Sequence, residues 1–420
     1  MMIRFNFVLL MVILLSCSAS QTELVIPTDQ FGEIPIDRDS LPFDAPLFCN
    51  ADVKVGAENT AAYFDLIREK KIGVVGNQSS MVGSIHLVDT LLGAGMDIIR
   101  VFSPEHGFRG TADAGEKVDN EIDQKTGLPI VSLYGNNKKP SVSQLAGIDV
   151  LVFDIQDIGV RFYTYISTLS YVMEAAAEND IQVIVLDRPN PNGHYVDGPV
   201  LKDGFSSFVG MHKVPVVHGM TIAEYAQMIN GEGWLTGGQI CNLTVVKCEG
   251  WDHTKFYELP VPPSPNLPNM IAVYLYPSLC FFEGTTVSLG RGTDWPFQVV
   301  GHPGYTNSGE NLFEFTPQPN FGAKHPVLEG KTCYGFDLHD SSIRSLQQNA
   351  ALDLTYLLDF YKNLKSSESF FLPNKFIDLL AGTDILRKQI TEGVDIETIR
   401  ASWEADLETF KAIRVNYLLY

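Results

Sequence analysis

The sequence predicts an α/β domain built on a parallel sheet, followed by a smaller α+β domain. Between residues 71 and 193, five near-continuous apolar runs alternate with helix-patterned segments. That is the pattern of βαβ units around a sheet covered on both faces. At 420 residues the chain exceeds the size at which a single core stops growing, and its 45% hydrophobic content can fill two. The second half mixes strand-like and helical stretches without regular alternation, which leaves α+β by elimination.

The first strand is Lys71 to Gly76, leading into Asn77-Gln78-Ser79-Ser80, and a helical segment from His86 to Gly95 follows. The second strand runs from Asp97 to Ser103 into Pro104-Glu105-His106-Gly107. Pro104 cannot donate to a ladder and Gly107 permits a sharp turn, so Glu105 and His106 project from the strand's carboxyl edge. Leu128 to Tyr134 is the third strand. The fourth, Asp149 to Phe153, opens into Asp154-Ile155-Gln156-Asp157-Ile158-Gly159-Val160-Arg161, and the helical pattern of Tyr165 to Asn179 follows. The fifth, Ile181 to Leu186, ends in Asp187-Arg188-Pro189-Asn190-Pro191-Asn192-Gly193. Four of the five exits carry polar groups, and in open α/β sheets that edge is where ligands bind.

Residues 1–17 are expected to be a signal, 18–50 a tether and lead-in, 51–200 the α/β domain and 201–420 the α+β domain that completes the cleft. In the second part Thr221 to Asn230, Asp340 to Leu364 and Asp395 to Ile413 read as helices and Leu243 to Val246 as a strand. A Pro-rich run spans Pro260 to Pro268. Two polar knots follow, one with Glu283 among aromatics and one with Arg291 and Asp294 between glycines beside Trp295. Charged groups between glycines and next to aromatic rings suit a sugar ligand; an Arg291–Asp294 ion pair that ties down the loop is the competing reading.

Fifty acidic residues against 30 basic ones give a formal charge of −20, which argues against a nucleic-acid partner. The first strand's exit lacks the spaced glycines that a pyrophosphate requires, which disfavours a nucleotide cofactor. A metal-dependent hydrolase could draw on Glu105, His106, Asp154 and Asp157, but no His-Glu-x-x-His spacing is present. At the amino terminus Arg4 precedes an apolar run from Phe5 to Leu15, too short to span a bilayer, and Leu14-Leu15-Ser16-Cys17 resembles a bacterial lipobox. Export is therefore expected, with a lipid anchor on Cys17 and the protein facing the periplasm. The other five cysteines, 49, 241, 248, 280 and 333, are scattered and form no disulfide framework.

Taken together, Ser-Pro-Glu-His-Gly at 103–107, Phe-Asp-Ile-Gln-Asp-Ile-Gly-Val-Arg-Phe-Tyr-Thr-Tyr at 153–165, Asp-Arg-Pro-Asn-Pro at 187–191, and Glu-Gly-Thr with Gly-Arg-Gly-Thr-Asp within 283–294 resemble the NamZ family, exo-β-N-acetylmuramidases of bacterial cell-wall turnover. The resemblance runs from about residue 50 to the carboxyl terminus. It implies a Rossmann-like first domain, a smaller second domain and a cleft that removes terminal N-acetylmuramic acid from the non-reducing end of peptidoglycan fragments, with no cofactor. It also implies that the catalytic Glu of the Pro-Glu-His-Gly run is Glu105.

Glycoside cleavage needs a proton donor to the leaving oxygen and a group facing the oxocarbenium-like centre. Glu105 is expected as the acid, with Asp154 or Asp157 as the second group, Glu283 as a further candidate, or the substrate's own acetamido group as nucleophile. Arg161 or Arg291 is expected to hold the lactyl carboxylate that distinguishes muramic acid from glucosamine. His106, Tyr163 and Asn192 complete the expected contacts, each with a competing structural role: tuning Glu105, packing and turn formation. The expected partners are peptidoglycan-derived saccharides or muropeptides, and a lipoprotein that only binds muropeptides is the reading from another class.

Overall fold

Alternation along each apolar run decides which side of the sheet a residue serves. In the computed structural model the strands are β1 (Lys71–Gly76), β2 (Met81–Val82), β3 (Ile85–His86), β4 (Asp97–Ser103), β5 (Glu121–Ile122), β6 (Pro129–Ser132), β7 (Val150–Asp154), β8 (Gln182–Leu186) and β9 (Leu243–Val246). Val150 and Val152 of β7 enter one core with the helices Thr60–Ile67 and Leu87–Gly93, while Leu151 and Phe153 enter the other with the helices Tyr165–Glu178 and Ile222–Gly231. Both sets are fully buried, which is why the run reads as continuously apolar.

The structure describes residues 46–105, 107–109, 121–306, 312–364 and 370–420, all within one unit that spans Asp44–Tyr420. The expected signal, the lipidated Cys17, most of the tether and His106 lie outside the described residues.

Seven strands form the main sheet in the order β5-β6-β4-β1-β7-β8-β9. Six are parallel and β5 runs antiparallel on the edge. The chain steps outward from β1 through β4 to β6, then returns to β7 on the other side of β1 and steps outward again. This is the doubly wound Rossmann-like order, and the reversal between β1 and β7 opens a crevice at their carboxyl ends. Strands β2 and β3 form a two-stranded hairpin.

The expected domain boundary at residue 200 has to move. β9 pairs in parallel with β8, from Val183 opposite Leu243 to Leu186 opposite Val246, so the sheet takes its last strand from residues 243–246. The remaining part holds the helix Met270–Leu279, the 3-10 turn Cys280–Gly284, the antiparallel sheet β10 (Val299–His302), β12 (Cys333–Asp337) and β11 (Phe313–Phe315), and several short helices. Most of its apolar residues join the same core as the helix Tyr165–Glu178, while Val299, Phe315 and Cys333 of the small sheet form a cluster of their own.

Two expected long helices are each divided. Residues 340–364 hold Ile343–Gln348 and Thr355–Leu364, because Leu352 and Leu354 between them turn into the core. Residues 395–413 hold Ile396–Ala401 and Glu404–Arg414, interrupted at buried Trp403. Trp403 Nε1 donates to Asp197 Oδ1 at 3.1 Å, and Arg400 Nη2 reaches the other oxygen at 2.8 Å. The tertiary demand of buried Asp197 outweighs helix continuity there. No described helix is long and apolar enough to cross a membrane. Among the described residues all five cysteines are free, four of them buried.

Candidate active site

A cleft of 330 Å³ opens at the carboxyl edge of the sheet, and its lining is drawn from both parts of the chain. Glu105 comes from the exit of β4, Tyr134 from beyond β6, and Phe162, Tyr163, Thr164 and Tyr165 from the end of the β7 exit loop. Glu283 comes from the 3-10 turn and Arg291 from the glycine-flanked loop. Gly159 makes the β7 exit possible: its φ is +76°, and a Cβ there would lie 2.1 Å from the Asn190 side chain.

The floor is a set of aromatic edges. Tyr163 stands edge-on to Tyr165 at 4.8 Å and to Tyr276 at 5.7 Å between ring centroids. Tyr165 is fixed by accepting a hydrogen bond from Asn77 Nδ2 at 2.9 Å and donating to the Pro263 carbonyl at 3.0 Å. The Pro-rich run thereby becomes a wall, also held by Gln78 Nε2 on the Pro262 and Pro263 carbonyls, and it places Ser264, Asn266 and Leu267 in the cleft. Prolines suit this use because their φ is preset and the segment resists collapse into the cavity.

Two carboxylates share the cleft. Thr164 Oγ1 donates to Glu105 Oε2 at 3.3 Å. Arg291 Nη1 lies 3.6 Å from Glu283 Oε1, each side chain 29% exposed. Burial raises the Glu283 carboxyl above its ordinary range; Arg291 pulls it back, and the nearby Glu105 charge pushes it up again. The Cys280 thiol, 3.9 Å from Glu283 Oε2, lies behind it.

Several expected site residues are used elsewhere. Asp154 is fully buried and receives Arg188 Nε at 2.6 Å and Nη2 at 2.9 Å on its two oxygens, so it closes an internal ion pair and does not line the cleft. Asp157 is buried behind the aromatic floor, where its Oδ2 accepts the Gly159 N–H at 2.7 Å and Oδ1 has no hydrogen-bond partner among the described residues. Burial lifts its carboxyl to about 7, and burial lowers the neighbouring His218, 4.0 Å away, to about 3.

Arg161 has no exposure at all. Its Nη1 donates to the carbonyls of Pro199 and Val214 and its Nη2 to that of Leu380, at 2.7–2.8 Å, so it ties the two halves of the chain together and cannot reach a ligand. Asn192 is a turn former, with its N–H on Asn190 Oδ1 and its Nδ2 on the Ile158 carbonyl. Asp294 is exposed and outside the lining, and Arg291 pairs instead with Glu283. Of the residues singled out in the sequence, the cleft gathers Glu105, Tyr163, Glu283 and Arg291. It adds Tyr134, Thr164, Phe208, Asn266, Phe297 and Phe376, for which the sequence offered only the adjacency of Thr164 to the Arg161–Tyr163 run and of Asn266 to the prolines. Among the described residues no group of three or more His, Cys, Asp or Glu is arranged to hold a metal ion.

Comparison with known proteins agrees with this architecture. Residues 72–271 match the family model described as exo-beta-N-acetylmuramidase NamZ, N-terminal, and residues 274–420 the corresponding C-terminal model, which places the division just after β9 and the Pro-rich wall. The chain is 37% identical over 377 residues to the peptidoglycan beta-N-acetylmuramidase NamZ of Bacillus subtilis (strain 168), covering 85% of this chain and 89% of that one. Two crystal structures of DUF1343 family proteins from Bacteroides fragilis NCTC 9343 superpose on it. One has a TM-score of 0.81 at 49% identity and covers 88% of this chain and 99% of its own. The other has a TM-score of 0.75 at 30% identity and covers 89% and 100%. With both family models matched in order across the two parts of one cleft-bearing fold, the chain belongs to the NamZ family of exo-β-N-acetylmuramidases.

Proposed function

We infer that this protein is a glycoside hydrolase, an exo-β-N-acetylmuramidase that releases terminal N-acetylmuramic acid from the non-reducing end of peptidoglycan fragments during cell-wall turnover. The observation that carries the reading is the pairing of Glu105 and Glu283, from separate parts of the chain, on one aromatic-lined cleft. Two carboxylates across a sugar-sized cavity are the equipment of glycoside hydrolysis. Burial raises the Glu283 carboxyl above its ordinary range, with a smaller push from Glu105 and against the pull of Arg291, which is the direction a proton donor to the leaving oxygen needs. Glu105, fixed by Thr164, then supplies the negative charge that faces the developing oxocarbenium ion. This assignment exchanges the role expected of Glu105 and gives Glu283 the place expected of Asp154 or Asp157. Turnover of a chromogenic β-N-acetylmuraminide tests the reading: release of the chromophore is expected, whereas saccharide binding without release would make the protein a muropeptide-binding module.

Arg291 is the arginine that reads the lactyl carboxylate in this proposal, since Arg161 is committed to three backbone carbonyls. Arg291→Met is expected to depress turnover of muraminides ~10- to more than 100-fold relative to the matching glucosaminides, the loss of a charge-assisted hydrogen bond of about 1.5–3 kcal/mol. Equal losses on the two substrates would remove Arg291 from that role.

We also propose that the protein is exported and lipid-anchored through Cys17, on the strength of the Leu14-Leu15-Ser16-Cys17 sequence alone. Cys17→Ala should move it from the membrane fraction to the soluble exported fraction at unchanged specific activity. Wild-type protein found wholly soluble after export would contradict the anchor.

A further inference from the structure

Phe321 is the one aromatic side chain among the described residues that lies exposed, with 62% of its surface in solvent. A single exposed apolar residue is ordinary on a protein surface. What sets Phe321 apart is its mounting. It belongs to a tight turn closed by the Asn320–Ala323 bridge, with the Gly322 N–H on Asn320 Oδ1 at 3.1 Å. Asn266, which lines the catalytic cleft, donates from Nδ2 to the Gly322 carbonyl at 2.7 Å. On the other side Asn320 Nδ2 donates to the Thr293 carbonyl at 3.2 Å and the Gln318 N–H to the Gly292 carbonyl at 2.8 Å, which fastens the turn to the loop that carries Arg291. The approach is close: a Cβ on Gly292 would lie 2.6 Å from the Gln318 carbonyl oxygen, and one on Gly322 3.2 Å from Asn266 Oδ1. Phe321 is thus carried by a rigid turn that joins two walls of the cleft, while the residue itself stays outside the lining.

A cleft that takes one end of a glycan chain must let the rest of the chain out through its mouth. At 330 Å³ it has room for the terminal sugar and part of its neighbour, so the sugars beyond lie across the rim. We propose that Phe321 is the stacking platform of an outer glycan subsite, holding a sugar of the leaving chain beyond the one next to the cleaved bond. In a β-1,4-linked N-acetylhexosamine chain the ring substituents are equatorial and the axial C–H bonds make each ring face apolar. An aromatic ring covers such a face while the hydroxyl and acetamido groups at its edge stay in water. A lipid surface is the other natural partner of an exposed aromatic, but the formal charge of −20 opposes an anionic membrane. This inference rests on the hydrolase reading above.

The test compares steady-state kinetics on the peptide-free disaccharide N-acetylmuramyl-β-1,4-N-acetylglucosamine and on the tetrasaccharide that repeats it, in the wild type, Phe321→Ala and Phe321→Trp. The position is exposed, so both substitutions spare the core. The wild type is expected to prefer the tetrasaccharide. Phe321→Ala should raise KM for the tetrasaccharide about three- to tenfold, the size of one aromatic contact, with kcat unchanged and the disaccharide within twofold of wild type. Phe321→Trp should restore the preference for the longer chain. A wild type indifferent to length, or a Phe321→Ala protein that loses equally on both substrates or on neither, overturns the subsite and leaves the hydrolase reading intact. Binding to phosphatidylglycerol vesicles that Phe321→Ala abolishes, with both kcat/KM values unchanged, would assign the ring to a membrane and also overturn it. A wild type that cleaves neither substrate defeats the hydrolase reading, and the subsite with it.

Discussion

Glu105→Gln should reduce turnover of every β-N-acetylmuraminide, natural or activated, by on the order of 10²–10⁴-fold or more, while saccharide binding and the fold persist. The amide is nearly isosteric and still accepts the Thr164 hydroxyl, so the geometry at the end of β4 is kept. What disappears is the negative charge opposite the sugar's anomeric centre, where positive charge develops in the transition state. An activated leaving group does not compensate, since it relieves the need for a proton and not the need for that charge. Steady-state rates on a 4-nitrophenyl muraminide and on a disaccharide, with affinity for the product sugar as the folding control, check the expectation. Wild-type rates on either substrate would remove Glu105 from the chemistry.

Asp157→Asn is expected to do the opposite: keep activity and raise stability at neutral pH. Asp157 lies behind the cleft floor with one oxygen on the Gly159 N–H and the other without a hydrogen-bond partner among the described residues, and burial lifts its carboxyl to about 7. In the unfolded chain an Asp ionises near 3.9, so between about pH 4 and pH 7 the folded state holds a proton that the unfolded state has lost. Stability from this group is therefore complete below pH 4 and disappears as pH rises through 7, a loss on the order of 4 kcal/mol for about three units at 1.36 kcal/mol each. The Asn side chain accepts the same Gly159 N–H and has no charge to bury. The variant should match the wild type near pH 4 and exceed it by up to that amount at pH 8 in denaturant unfolding. Asp187, also buried and also lifted to about 7, titrates in the same window and is common to both proteins, so the difference curve isolates Asp157. A variant that is inactive, or no more stable at pH 8 than at pH 4 relative to wild type, would show that the carboxylate works in its charged form.

These two residues also show where the sequence was informative. The five apolar runs were legible because a parallel strand buried on both faces must be apolar throughout, and the exit of β4 was legible because Pro104 and Gly107 mark the point where the ladder ends. A carboxylate at a strand exit does not reveal its partner, however. Asp154 is claimed by Arg188, 34 residues later, and Arg161 by the Leu380 carbonyl, 219 residues later. Such pairings are set by tertiary packing and leave no local pattern. Glu283 stood out only as a carboxylate among aromatics, because its opposition to Glu105 depends on how the second part of the chain folds over the sheet edge. β9 reads as a strand, but a stretch as short as Leu243-Thr244-Val245-Val246 carries no mark of which sheet it joins, and it completes the first domain's sheet.

The division of labour between the two glutamates is the centre of this account, and the leaving-group dependence of Glu283→Gln tests it most directly. If Glu283 donates the proton, the variant should lose on the order of 10²–10⁴-fold on the disaccharide, whose sugar alkoxide must be protonated as it leaves. It should stay within about tenfold of wild type on the 4-nitrophenyl muraminide, whose phenolate leaves without help. A Glu283→Gln protein that cleaves the disaccharide at the wild-type rate would contradict the account, as would one in which rescue by the activated leaving group belongs to Glu105→Gln instead.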